Sequence, residues 1–272
     1  MRRAAVGTMT AQAARPAPGA GLRAWLASPQ GHYILDWEHA HFDLAVADIF
    51  GYIAVQIGFP GFDFLRANRI PFRFRADVSG AVDVRLELGQ LPFASAAVDL
   101  VVLPHALEFA EDPHQILREV ERVLIPEGRV VVSGFNPFSL WGLYRSCRRA
   151  PPEFPWNGHY LSVRRLSDWL SLLGFEVEAG QFGCYAAPVR SEIALRRNRL
   201  LEKSGQRWWP FAGAAYVLQA VKRVRGLRLI HPGRRDRLVR ATRLAPAVER
   251  RDDQPEPVIR RHRARHDEEN AI

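Results

Sequence analysis

Residues 87–136 read ELGQLPFASAAVDLVVLPHALEFAEDPHQILREVERVLIPEGRVVVSGFN, and they decide the fold. Val98–Leu103 (VDLVVL) is a short run of branched apolar residues, the pattern of a strand covered on both faces. Asp112 followed by Pro113 supplies an N-cap and a proline at the first helical position. Ile116, Leu117, Val120, Val123 and Leu124 then recur at helical spacing, with Arg118, Glu119, Glu121 and Arg122 on the opposite side. Pro126-Glu127-Gly128 ends this helix in a turn, and Arg129–Ser133 (RVVVS) is a second buried strand. Two buried strands joined by a helix make a right-handed crossover, and so a parallel sheet.

A chain of 272 residues, 47% hydrophobic, can bury one substantial core with room for an appendage. Its apolar runs fall short of bilayer thickness, so no transmembrane helix is expected. The first 21 residues, MRRAAVGTMTAQAARPAPGAG, are basic, small and free of acids. That is the bias of a targeting peptide without the apolar core of a secretory signal, and a flexible leader over residues 1–30 is expected, with Met9 as an alternative start. Cys147 and Cys184 stand far apart and form no CxxC pattern, which argues against structural zinc and against an oxidising compartment; the cytoplasm is expected. A metal reading of His105, Glu108, Glu111, Asp112 and His114 fails on spacing, and no metal is expected. The formal net charge of +9 favours contact with something anionic: nucleic acid, an acidic membrane surface or an acidic substrate.

Outward from the central stretch, residues 34–50 carry an amphipathic helical pattern and Tyr52–Ile57 a buried strand, followed by the turn Gly58-Phe59-Pro60-Gly61-Phe62. Residues 63–67 suit a brief helix, Phe72–Asp77 alternates as a strand, and Val82–Leu88 reads as another. Leu140–Arg149 is a short basic amphipathic helix, and Trp156–Tyr160 a candidate lid. Leu161–Leu173 forms a helix stopped by Gly174, and Phe175–Tyr185 a strand. Residues 214–221 suit either a last strand or an amphipathic helix. The expected organisation is a leader (1–30), one domain (31–225) with a basic insertion at about 188–212, and an Arg- and Pro-rich tail (226–272) that buries too little to order itself.

LPF, then VDLVVLPHALEF, then DPHQILREVERVLIPEGRVVVSGF resemble, in order and spacing, the second half of class I S-adenosylmethionine-dependent methyltransferases, and most closely the methyltransferase type 11 domain. The resemblance implies an α/β fold: a Rossmann-like, doubly wound, mostly parallel sheet of seven strands, the last antiparallel, with helices on both faces. It implies S-adenosyl-L-methionine as cofactor and methyl transfer to an acceptor, with a small molecule the first choice. Gly58 and Gly61 would line the turn at the methionine side, Asp77 would hold the ribose hydroxyls, and Glu87 with Leu88 the adenine. His105 would stand beside the methionine moiety, either taking a substrate proton as the catalytic residue or packing there. Asn136 and Tyr160 would face the acceptor.

The family pattern of an acid followed by three alternating glycines stands here as Gln56-Ile57-Gly58-Phe59-Pro60-Gly61. Gln56 replaces the acid, Gly58 matches the first glycine, and Gly61 is one place out of phase. From the residues alone, Asp77 also suits a turn in Asp77-Val78-Ser79-Gly80, and Glu87 an exposed strand end. Two further readings follow: a fold that has lost its cofactor and serves as a binding or scaffold protein, and a protein that meets nucleic acid or anionic membrane through basic segments at 140–149 and 222–265.

Overall fold

A computed structural model describes residue 21 and residues 24–147, 154–188, 205 and 207–224. The expected leader up to residue 20, most of the basic insertion and the tail from residue 225 lie outside the described residues.

Helix α1 (Pro29–Ala47) starts at Ser28, whose side chain accepts from the Gly31 N–H, with proline in the first turn. It begins before the expected residue 34, and Leu26 ahead of it is already in the core, so the packed domain starts upstream of residue 31. Strands β1 (Ile53–Ile57), β2 (Phe72–Asp77), β3 (Val84–Arg85) and β4 (Val98–Pro104) follow. Next come α2 (Pro113–Val123), β5 (Leu124–Phe135), α3 (Leu140–Cys147), α4 (Val163–Leu172), β6 (Phe175–Gly183) and β7 (Ala215–Lys222). The sheet runs β3-β2-β1-β4-β5-β7-β6; β7 is antiparallel to both its neighbours and the pairs from β3 to β5 are parallel. The seven-stranded, doubly wound architecture expected from the sequence is the one observed.

The period-two alternation of the strands divides the core cleanly. Val55, Ile57, Val101, Leu103, Val130 and Val132 face α2 and α4, where Ile116, Leu117, Val120, Leu166 and Leu170 cover them. Ala54, Leu100, Val102 and Val131 face the other way, under Leu35, Phe42 and Val46 of α1. Asp112 caps α2 by accepting from the Gln115 N–H, as its position before Pro113 predicts.

Three local expectations are corrected, and one open choice is settled. Residues 64–67 form a turn rather than a helix, so the whole β1–β2 connection is a run of turns. Strand β3 keeps only two residues, because the chain folds back at once through a Glu87–Gln90 turn closed by Gln90 N–H to Glu87 C=O. The turn expected at Pro126–Gly128 is a bulge inside β5: the pairing jumps from Val98–Leu124 to Leu100–Arg129. Residues 215–222 are a strand, which resolves the open choice.

Candidate functional site

In open α/β sheets ligands lie beyond the carboxyl ends of the strands, where the order reverses. Here that place is the junction of β1 and β4, and most of the predicted residues stand along it. Gly58 directly follows β1, with φ +97°, and its N–H donates to the Ala76 carbonyl at 3.2 Å. A side chain there would bring Cβ to 3.0 Å from the Pro104 carbonyl, so β1 and β4 approach each other across a glycine that no other residue replaces without strain. Gly58→Ala is therefore expected to cost about 1–2 kcal/mol, read by chemical denaturation. Gly61 stands in open space and makes no such demand.

Asp77 closes β2 one strand away, and its Oδ1 accepts from the Val78 N–H at 2.7 Å. Burial pushes its carboxyl above the ordinary range and the Val78 hydrogen bond opposes this. The Asp77 carbonyl accepts from the Leu86 N–H, which sets the Glu87 turn beside it. Glu87 is exposed there, and Leu88 is half-buried against the core. Gly58, Asp77 and Glu87 thus occupy the ends of three adjacent strands, as the sequence implied.

Gln56 occupies the family's acidic position and does something an acid could not. Fully buried, its amide NH2 donates to the carbonyls of Gly58, Phe59 and Phe62 at 2.8–3.2 Å, while its oxygen accepts from the Phe64 N–H at 2.9 Å. One side chain staples the β1–β2 loop. The loop turns Phe59, at φ +49°, inward to stack on His105 with ring centroids 5.3 Å apart.

His105 follows β4 with φ +48° and is almost fully buried. Its Nδ1 lies 2.6 Å from Glu108 Oε2, and its Nε2 lies 2.7 Å from Glu38 Oε1, an ion-pair contact outside the angle of a directed hydrogen bond. Burial by itself would lower the imidazole pKa, but the Glu38 and Glu108 carboxylates outweigh it and hold the pKa up at about 10. Both imidazole nitrogens face carboxylates, an arrangement that favours the protonated ring and works against the proton-accepting role expected of it. Glu108 also accepts from the Phe135 N–H at the end of β5, which ties three elements to one buried charge cluster.

The two residues expected to face the acceptor differ. Asn136 is buried and fully spent: its Nδ2 donates to the Phe211 and Gly213 carbonyls at 2.7 and 3.0 Å, and its Oδ1 accepts from the Phe138 N–H. These bonds give Asn136 a structural role. Tyr160 stacks on Phe135 at 5.1 Å under the Arg145 guanidinium, and its buried hydroxyl has no hydrogen-bond partner. Burial first, then the Glu108 carboxylate, raise its pKa and keep it a neutral donor. A cavity of about 290 Å³ opens nearby, between Leu107, Glu111 and His114 on one side and His159, Arg165 and Trp169 on the other. The His159 N–H donates to the Glu108 carbonyl at 2.8 Å, so the cavity and the charge cluster share a wall.

Sequence reasoning missed Glu38, Glu108 and Phe59. A signal for Glu38 was present: it stands four residues from both Ile34 and Phe42, on the apolar stripe of α1. Nothing local marks Glu108 or Phe59, whose roles arise from the folding of loops over β4.

Residues 70–132, from just before β2 into β5, match the family model described as a methyltransferase domain. The uncharacterized protein YafS of Escherichia coli K12 is 45% identical over 35% of this chain and 40% of its own length. A Mycolicibacterium smegmatis protein named a probable S-adenosylmethionine-dependent methyltransferase is 36% identical over 36% of each chain. The chain thus spans about two fifths of the length of the curated relatives it matches. Among solved structures, a SAM-dependent methyltransferase from Thermotoga maritima covers 74% of this chain and 94% of its own, with TM-score 0.53 at 17% identity. One from Archaeoglobus fulgidus covers 74% and 99%, with TM-score 0.52 at 17% identity. Family match and strand order together bear out the likeness to class I S-adenosylmethionine-dependent methyltransferases: the fold is of that class, and its central stretch is similar to the methyltransferase domain.

Proposed function

We propose that this chain is an S-adenosylmethionine-dependent methyltransferase acting on a small-molecule acceptor. The observation that carries the reading is the alignment of Gly58, Asp77 and Glu87 on three adjacent strand ends at the switch point of the sheet. The residues fit the cofactor. The Gly58 backbone admits close approach, Asp77 Oδ2 is an acceptor for the ribose diol, and Glu87 with Leu88 suits an exocyclic amine and a flat ring. When bound, S-adenosylmethionine supplies an activated methyl for in-line transfer to the acceptor. The chain's own work is alignment and the exclusion of water. His105, already protonated, holds Glu38 and Glu108 in place, and the Tyr160 hydroxyl is a buried donor. Both cysteines are free thiols, which suits the reducing cytoplasm, where this reading places the activity.

A second reading, a methyltransferase fold kept as a binding scaffold, is favoured by one observation: the loop packs Phe59 on His105, and Pro60 and Phe62 stand where the family loop has its second and third glycines. Calorimetry with S-adenosylmethionine and S-adenosylhomocysteine separates the two. Wild type is expected to bind, and Asp77→Ala to bind at least about tenfold more weakly through loss of a charge-assisted hydrogen bond. Absence of both heat and thermal stabilisation at millimolar cofactor would sink the enzyme reading and leave the scaffold.

A further inference from the structure

The strongest feature outside the site is an exposed aromatic and aliphatic surface beside the carboxyl end of β5. Phe138, Leu140 and Leu143 on one segment and Trp208, Trp209 and Phe211 on another are between 50% and 77% exposed. One buried side chain holds both segments. Asn136 donates to the Phe211 carbonyl and accepts from the Phe138 N–H, and its own carbonyl accepts from Ser139 Oγ at the start of α3. The patch is therefore built and anchored from beneath, while Trp141, on the opposite side of α3, is buried in the core.

Soluble domains rarely gather so much large apolar surface without a partner for it. The sequence flanking the two segments says which partner. Arg207 is exposed next to Trp208, and residues 190–207 carry six basic side chains (Arg190, Arg196, Arg197, Arg199, Lys203 and Arg207) against two acidic ones. Arg148 and Arg149 follow α3, and the whole chain stands at +9. Tryptophan and phenylalanine flanked by arginine suit the boundary of an anionic bilayer, where rings enter the headgroup region and cations meet lipid phosphates.

We propose that the Phe138–Leu143 and Trp208–Phe211 surface docks this protein peripherally on an anionic lipid bilayer. The docking needs no methyl transfer and stands apart from the enzyme reading. It sets the β5 end of the site toward the membrane.

The test is flotation of the full chain with vesicles of phosphatidylcholine alone and of phosphatidylcholine with about a third phosphatidylglycerol. Wild type is expected to float with the anionic vesicles, with a blue shift of tryptophan emission, and to be released at molar salt. Phe138→Ser/Trp208→Ser/Trp209→Ser should lower the partition at least about tenfold at unchanged melting temperature, and Trp209→Phe should keep it. Failure of wild type to float overturns the proposal. So does partition that the triple variant leaves unchanged, because basic segments alone would then explain it. A wild-type dimer in sedimentation that the triple variant dissolves would assign the surface to a second copy and overturn it equally.

Discussion

His105→Ala is expected to destabilise this protein strongly, by about 3–5 kcal/mol. The reason is what it leaves behind. Glu38 and Glu108, each about 1% exposed at the side chain, lie on the two sides of the imidazolium, and without it two carboxylates share a dry pocket with no cation. Glu38→Gln and Glu108→Gln each remove one charge and should cost less, because an imidazolium facing the remaining carboxylate stays paired.

The same cluster makes stability depend on pH in a defined direction. The folded protein holds the His105 proton up to about 10 against an ordinary value of 6.5. Its contribution is therefore complete below about pH 6.5 and is lost as the pH rises through 10. In urea unfolding, wild type should lose stability between pH 7 and 9 with a slope approaching 1.4 kcal/mol per pH unit, and His105→Ala should lack the part of that slope that the imidazolium contributes. A wild-type free energy that does not change across that window would show that His105 is neutral when folded, and would reopen the proton-accepting role.

Gln56→Glu is the second large effect, and it runs against the family pattern. Restoring the acid would aim a buried carboxylate at the carbonyl oxygens of Gly58, Phe59 and Phe62, among which the amide now shares its two N–H donors. An acceptor cannot replace a donor there, and an unpaired buried charge of this kind costs about 3–5 kcal/mol. Hydrogen exchange of the Phe64 amide, now bonded to Gln56 Oε1, should quicken with the loss of the loop. If Gln56→Glu instead raised stability or cofactor affinity, the loop would have a different ligand-bound arrangement from the one described. Phe59 is the residue to watch in such a rearrangement, since the staple sets its backbone and its ring packs on His105, Phe64 and Phe154.

The two halves of the chain were unequally legible. From Val98 to Phe135 each strand and helix is signalled by its own residues: branched runs for β4 and β5, a cap and a 3.6 period for α2. Such signals are local, and the resemblance supplied the strand order around them. Between Gly58 and Gln90 the signals were weaker, because turns replace helices and β3 ends after two residues. A turn's side-chain hydrogen bonds depend on where its neighbours settle, which no periodicity records.

By itself the sequence determined the parallel core, the α2 cap, the glycine after β1 and the acid at the end of β2, since each follows from residues close together in the chain. Only the tertiary structure decided the chemistry of the site. Glu38 and His105 are brought into contact from opposite ends of a long connection, Gln56 is recruited to tie a loop, and Asn136 is spent on joining two distant segments. A side chain's protonation and availability depend on what packs around it, and for these residues the packing comes from elements remote in sequence.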